Sequence, residues 1–295
     1  MSPTRGIHTT FPPERAAANA NQNPVKNTNP IEATLSLIIA VYGHPDFLAR
    51  IFTSLENQTH QDFEVLVADD GSDDDVRELI EQVRPRFRQS LRHVWHDDDG
   101  FRKTVIVNKA AAKAESDTLV FIDGDCILHH RFLERHYKRR RRGRVLSGRR
   151  VMLQRELSQR ISDDDVRARR LESVGFWWNQ CSRTDRKRGF YAPWLFWFRN
   201  LFRTSYEILG SNFSVHREDF YRVNGYDERI IGRGLEDNNL HARFVNSGVK
   251  IYTLAHEALQ YHLFHTSAPI PHSPETIHEY RDTEDTRTPH GIVKN

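Results

Sequence analysis

The chain has 295 residues, with 43 Lys and Arg against 40 Asp and Glu, so charge is dense but the formal net charge is only +3. That balance excludes a globally basic nucleic-acid coat. The 38% hydrophobic and 11% aromatic content excludes intrinsic disorder throughout and suffices for a buried core. The longest apolar run, Leu35 to Tyr42 broken only by Ser36, is less than half of the roughly 20 residues a membrane-spanning helix needs. No apolar stretch of the secretory type stands at the N-terminus, and Cys126 and Cys181 are too few for a disulfide framework. The expectation is a cytoplasmic protein.

Residues 1–33, rich in Asn, Pro, Ala and Thr, predict a disordered tail, because they can bury too little surface to offset the entropy of ordering. A single folded domain is expected over 34–267. Leu35–Val41 is short, aliphatic and strand-like, and Pro45 opens an amphipathic helix running to about Glu56. A second strand over 63–67 leads into Asp69-Asp-Gly-Ser72 and a helix over about 73–83. Leu91–Trp95 makes a third strand, the Ala-rich stretch 103–114 a helix, and 118–122 a fourth strand ending on Asp123-Gly-Asp125. Alternation of strand and helix predicts an α/β domain with a mostly parallel sheet and right-handed crossovers. Ligands of such sheets bind beyond the carboxyl ends of the strands, where both acidic clusters fall. From 268 to 295, Pro269, Pro271, Pro274 and Pro289 among polar residues predict a second tail of loop or extended chain.

Asp123-Gly-Asp125 sets two carboxylates two residues apart around a glycine that lets the chain turn sharply. Hard oxygen ligands on one tight turn suit Mg²⁺ or Mn²⁺ held mainly through substrate phosphates. Alone, the triplet also suits an ordinary turn. An apolar strand feeding straight into it, and a second acidic strand end at Asp69-Asp70, favour a site.

Ser36-Leu-Ile-Ile-Ala-Val-Tyr42, Leu55-Glu-Asn-Gln-Thr59, Phe63-Glu-Val-Leu-Val-Ala-Asp-Asp-Gly-Ser72, Asn108-Lys-Ala-Ala111 and Phe121-Ile-Asp-Gly-Asp125 resemble the nucleotide-sugar half of family 2 inverting glycosyltransferases with the GT-A fold. Gly210-Ser-Asn-Phe-Ser-Val-His-Arg217, Val223-Asn-Gly-Tyr-Asp-Glu228 and Gly232-Arg-Gly-Leu-Glu-Asp237 resemble the acceptor segment shared with β-1,4-galactosyltransferases and chondroitin-polymerase-type enzymes. The resemblance implies one GT-A domain, with a nucleotide-sugar half at 34–126 and an acceptor half at 127–267. Its mixed, mostly parallel sheet would be flanked by helices. The activity it implies is inverting transfer of a hexose or hexuronate from a UDP-sugar donor to a glycan or lipid-linked glycan acceptor.

Roles follow from the same resemblance. Asp70 is expected at the uridine with Asp69 nearby, and the backbone at Val41 and Tyr42 along the base. Asn108 and Gly124 are expected in the donor site, and Arg102 and Lys103 suit the diphosphate as well as solvent. Asp123 is expected at ribose or metal, and Asp125 as ligand of the metal bridging the diphosphate. His262 or His265 would complete that site, and an imidazole ligand favours Mn²⁺ over Mg²⁺. Asp237 is implied as the general base, with Glu236 orienting the acceptor and Asn212 contacting it. One departure is Arg233, where relatives carry Trp; it leaves acceptor recognition less transferable and suits an anionic donor or acceptor as well as solvent.

Plainer structural roles exist for the same residues. Glu236-Asp237 suits a helix start, where acids meet the positive end of the dipole, and Asn212 suits a turn. With 16 histidines, any one of them is more often structural than a ligand. Residues 131–150 hold ten Lys and Arg against one acid, Glu134, which suits a solvated helix end or an anionic partner such as lipid phosphate. No nucleic-acid motif accompanies that run, so nucleic acid is not expected as a partner. Gly189-Phe-Tyr-Ala-Pro-Trp-Leu-Phe-Trp-Phe-Arg199 suits core, an acceptor-groove lid or an interfacial membrane segment. The last would place the protein at the inner face of the cytoplasmic membrane, in cell-envelope polysaccharide or lipopolysaccharide assembly. Two alternatives compete: a metal-dependent nucleotidyltransferase, which releases pyrophosphate instead of UDP, and a non-catalytic nucleotide-sugar-binding homologue.

Overall fold

Along β1 (Leu35–Val41), Leu35, Leu37, Ile39 and Val41 enter one apolar cluster while Ile38 enters another on the opposite side. Period-2 alternation with both faces buried is what a strand covered by helices on two sides requires. The computed structural model describes residues 34–202, 206–266 and 272–294, so the expected tail at 1–33 lies outside the described residues.

After β1 come α1 (Pro45–Glu56), β2 (Phe63–Asp69), α2 (Asp74–Val83), β3 (Leu91–Trp95), α3 (Lys103–Lys113) and β4 (Thr118–Asp123). Then follow β5 (Cys126–Leu128), α4 (Phe132–Arg139), β6 (Arg144–Ser147) and β7 (Arg149–Met152). Four short helices, α5 (Arg155–Arg160), α6 (Asp163–Arg167), α7 (Val174–Trp177) and α8 (Arg183–Arg188), precede α9 (Leu195–Phe202). The chain continues through β8 (Asn212–His216), α10 (Arg217–Arg222), α11 (Glu236–Asn246), β9 (Lys250–Thr253), β10 (Leu259–His262) and α12 (Pro274–Arg281).

The main sheet has seven strands in the order β3-β2-β1-β4-β8-β6-β9. Its first four strands are parallel, and β8 runs antiparallel to both β4 and β6. The observed fold is therefore a mixed α/β sheet flanked by helices, as expected. β2 and β4 run further than the apolar pattern marked and end on Asp69 and Asp123, because ladder pairing continues past the last aliphatic residue.

Backbone hydrogen bonds lash these strand ends together. Asp70 N donates to Val41 O at 2.9 Å and Gly124 N to Ala40 O at 2.7 Å. Gly43 N donates to Ser72 Oγ at 2.8 Å. A second sheet, β5-β10-β7, lies in sequence directly after this corner, and its register pairs His262 with Cys126. That pairing brings the end of β10 beside Asp125.

The Pro-rich C-terminal stretch departs from the expected tail. Its described part contains α12, and Asn224 Nδ2 donates to Thr288 O at 2.9 Å and to Val293 O at 3.0 Å. Val293 N returns a bond to Asn224 Oδ1 at 2.8 Å, and Ile292 packs against the core. Among the described residues no helix is long and apolar enough to cross a membrane.

Candidate active site

At the end of β4 the chain turns through Gly124, where a Cβ would stand 3.0 Å from both Ala40 O and the Val41 side chain. The turn delivers Asp125 to His262, which ends β10, and to His265 just beyond it. His262 Nε2 lies 3.0 Å and His265 Nε2 2.9 Å from the same Asp125 Oδ2. Burial alone would raise the Asp125 pKa, but the hydrogen bonds from His262 and His265 outweigh it and hold the carboxyl below the usual carboxylate range. One carboxylate oxygen and two imidazole nitrogens are a fitting donor set for a divalent first-row ion. Among the described residues His262 Nδ1 is buried without a hydrogen-bond partner, and the ring's Nε2 points into the cluster.

Asp123, expected at ribose or metal, stands outside that donor set. Its Oδ1 accepts from Lys103 Nζ at 2.6 Å, and Arg150 lies 4.0 Å from its other oxygen. Burial works against a charge on Lys103, but the carboxylates of Asp123, Asp237 and Glu236 prevail and hold it protonated. The lysine thus joins the strand-end acids of the parallel half to the acids that open α11.

Asp237 sits in the first turn of α11, half-buried, with Oδ2 accepting from Gly210 N at 2.8 Å and Oδ1 facing the Tyr226 hydroxyl at 3.3 Å. Burial, with the charges of Glu236 and Asp123, raises its pKa to about 7 against the opposing pull of Lys103 and the Gly210 amide. A Cβ at Gly210 would overlap this carboxylate, so only glycine allows the strand approach to hold it. Glu236 accepts from Gly234 N at 2.7 Å. The pair therefore begins a helix and forms the acidic centre of the cleft at once.

The glycosyl transferase family 2 profile matches residues 36–202, and that of the N-terminal domain of galactosyltransferase matches residues 200–267. The chain belongs to glycosyl transferase family 2. It is 26% identical over 263 residues to validoxylamine A glucosyltransferase of Streptomyces hygroscopicus subsp. limoneus, covering 80% of this chain and 53% of that protein. The chain thus spans about half the length of the curated relatives it matches first. Among solved structures, TarS of S. aureus aligns with a TM-score of 0.52 at 15% identity, over 78% of this chain and 37% of that one. Its fragment 1–349 in complex with UDP aligns at 0.50 and 16% identity, over 77% and 60%. These likenesses make the fold that of the GT-A glycosyltransferases.

Against the family's expected donor site, the remaining residues divide. Asp70 lies at the cleft end of the parallel sheet, with His96 Nε2 at 2.8 Å and Arg102 N at 2.9 Å. Burial raises its pKa, opposed by those two bonds. Asp69 is buried and held by His93 Nε2 at 2.8 Å and Ser72 N at 2.9 Å, so it braces the turn. Val41 is core, while the Tyr42 ring is exposed and its hydroxyl reaches Asp98 at 3.1 Å. The Arg102 side chain turns to Asp99 at 2.7 Å.

Two asparagines expected at the donor and acceptor are tied into the fold. Asn108 is buried and spends its amide on Tyr226 O, Glu228 and Tyr226 N at 2.9–3.0 Å, clamping α3 to the segment that carries Tyr226. Asn212 is buried too, donating to Arg149 O and Ala258 O at 3.1 and 3.0 Å and facing His136 Nε2 at 3.2 Å. Both amide N–H donors of each are thus taken by protein acceptors. Arg233 lies close enough to His265 for its charge to oppose that ring's protonation, which the Asp125 hydrogen bond favours.

Gly210, Tyr226 and Arg150 were not marked by sequence. The first two stand inside matched motifs, so their segments were visible and their contacts to Asp237 were not. A second carboxylate–histidine group, His129, His130 and Glu172, is not a comparable ligand set. His129 Nδ1 accepts from Arg131 N at 3.1 Å, so its Nε2 carries the proton, and burial together with His130, Arg131, Arg169 and Arg135 lowers its pKa to about 3.

Proposed function

We propose that this chain is an inverting glycosyltransferase that moves a hexose or hexuronate from a UDP-sugar to a hydroxyl of a glycan acceptor, in a divalent-metal-dependent reaction. The observation that carries the proposal is Asp237: a half-buried carboxyl poised at about 7, gripped by Gly210 N and Tyr226 and facing the Lys103–Asp123 pair. A general base works best with a pKa near the operating pH. The UDP found in TarS supports a uridine nucleotide in this fold, and the name of the validoxylamine A relative puts a glucosyl donor first in any panel.

The steps assign themselves to named groups. Asp237 takes the proton of the acceptor hydroxyl as its oxygen bonds to the anomeric carbon on the face opposite the diphosphate. The bond from that carbon to the diphosphate oxygen breaks, the electron pair leaves with UDP, and the centre inverts. Asp125, His262 and His265 would hold a divalent ion, whose charge favours departure of the diphosphate. Lys103 keeps the Asp237 carboxylate accessible near neutrality by its positive charge, and Gly210 N orients it.

The test is UDP release by the purified chain with UDP-glucose, UDP-galactose, UDP-N-acetylglucosamine and UDP-glucuronate, with Mn²⁺, Mg²⁺ or chelator. Metal-dependent UDP release with one donor supports the proposal. Pyrophosphate in place of UDP would move the chain to nucleotidyl transfer, and UDP binding without turnover to a non-catalytic homologue.

A further inference from the structure

Helix α9 turns apolar side chains both inward and outward. Phe196 is buried in the core, and Asn200 Nδ2 donates to Thr253 O at 3.1 Å, which fixes the inner face. On the outer face Trp197, Phe198 and Leu201 are 66, 65 and 72% exposed, and Trp194, in the turn just before the helix, is 75% exposed. The spacing i, i+3, i+4, i+7 is that of one helical stripe, and a contiguous exposed apolar stripe marks an interaction surface.

The charge bordering this stripe is basic. The Arg139 guanidinium sits 4.1 Å from the Phe196 ring centre and 5.4 Å from that of Trp197. Arg139 leads directly into the exposed Arg140, Arg141 and Arg142. Nearby Glu257 is buried and already paired with Arg139 at 2.9 Å. At roughly 150–250 Å² for a fully buried aromatic ring, four partly covered side chains offer less than the ~800 Å² per partner of a stable protein interface. Aromatic rings beside arginines suit the headgroup zone of a bilayer, where few inserted residues suffice if lipid charge assists.

We propose that α9 and the adjoining arginine run form a docking surface for an anionic lipid bilayer, with the stripe entering the headgroup–acyl boundary and Arg140 and Arg141 meeting lipid phosphates. The docking itself does not depend on the proposed transfer. Its use does: it rests on the proposed transfer, with a lipid-linked acceptor presented at the surface on which α9 docks.

The experiment is sedimentation of the full chain with vesicles of phosphatidylcholine alone and of phosphatidylcholine with about one-third phosphatidylglycerol. Expected are pelleting with the anionic vesicles only, a blue shift of tryptophan emission, and loss of both in Trp197→Ser/Leu201→Ser. Arg140→Gln/Arg141→Gln should weaken binding about fivefold per charge removed. Both variants change exposed side chains and should keep the parent's thermal midpoint and UDP binding, which separates this test from that of the transfer. Absence of binding to anionic vesicles, or binding unchanged in both variants, overturns the proposal. So does a dimer detected by light scattering that Trp197→Ser/Leu201→Ser abolishes, which would give the stripe to a second copy of the chain.

Discussion

Asp125 and Asp237 are both half-buried carboxyl groups, yet their surroundings drive them in opposite directions. Asp125 receives two imidazole hydrogen bonds and is held below the usual carboxylate range. Asp237 has Glu236 as its nearest rival for negative charge and is raised to about 7. Burial penalises both, so the difference comes from the neighbours. Carboxyls pushed apart in this way divide the work: one stays ionised and suits a cation, the other exchanges a proton near neutral pH. The sheet explains the division. Asp125 stands on the turn after β4, opposite His262 at the end of β10 and His265 beyond it, whereas Asp237 stands at the start of α11.

The contrast breaks first at Asp237. Asp237→Asn keeps an acceptor oxygen for Gly210 N but cannot take a proton, so kcat should fall by about 10²–10⁴-fold while UDP affinity by calorimetry stays near the parent value. Stability should move the other way. A carboxyl whose folded pKa is raised favours the native state at low pH and loses that contribution as pH rises from its unfolded value toward about 7. At pH 8 the amide should therefore stabilise the fold by about 1–4 kcal/mol, visible as a higher thermal midpoint. An inactive variant that is also less stable at pH 8 would contradict the environment described for Asp237.

Asp125→Ala should remove the other half of the contrast. Manganese affinity by calorimetry should drop by more than the roughly 10–100-fold typical of losing only an outer partner of a ligand. His262→Ala and His265→Ala should each weaken it as well, because both rings meet the same oxygen. Manganese binding unchanged in all three would leave the cluster as a hydrogen-bonded corner of the sheet.

Much of this frame was legible in the sequence, for physical reasons that differ by region. Apolar period and a proline start locate β1 and α1 to the residue. Strand-end position marked Asp70 and Asp123, and motif spacing marked Asp237. What pattern cannot carry is the state of a side chain's hydrogen bonds. Asn108 and Asn212 sit in matched segments, yet their amides are consumed inside the fold. The C-terminal stretch fails for a related reason: its composition is polar and Pro-rich, but the Asn224 amide binds it by backbone partners that no periodicity reveals. Lys103 was visible only as a cation at a helix start, and its link between two acidic groups is a tertiary fact.

Gly210→Ala sharpens the comparison by moving Asp237 without changing its chemistry. The added methyl overlaps the carboxylate, which must shift. Misplacing a catalytic group by about 1 Å can cost on the order of 100-fold, so kcat should fall by about 10–100-fold while manganese affinity at Asp125 is retained. Equal loss of both would mean that the substitution disturbs the whole cleft. In the parent enzyme kcat/KM should rise with pH and level off above a midpoint near 7, because the base acts as carboxylate and Asp237 binds its proton up to about 7. Asp237→Asn should lack that limb.

The smallest expected effect tests the fine balance around the base. The Tyr226 hydroxyl lies 3.3 Å from Asp237 Oδ1, and a donor to a carboxylate stabilises its charged form. Tyr226→Phe removes the donor and leaves the ring in its buried site, so packing changes little. A bond this long is worth no more than about 0.5–1.5 kcal/mol. The acid limb should therefore move to higher pH by at most about one unit, lowering activity several-fold at pH 6.5 and hardly at all at pH 9. The pH dependence separates this cause from a packing defect, which would depress the rate equally at both. A shift to lower pH would mean that Tyr226 does not donate to Asp237, and that Gly210 N and Lys103 alone offset the burial of this carboxyl.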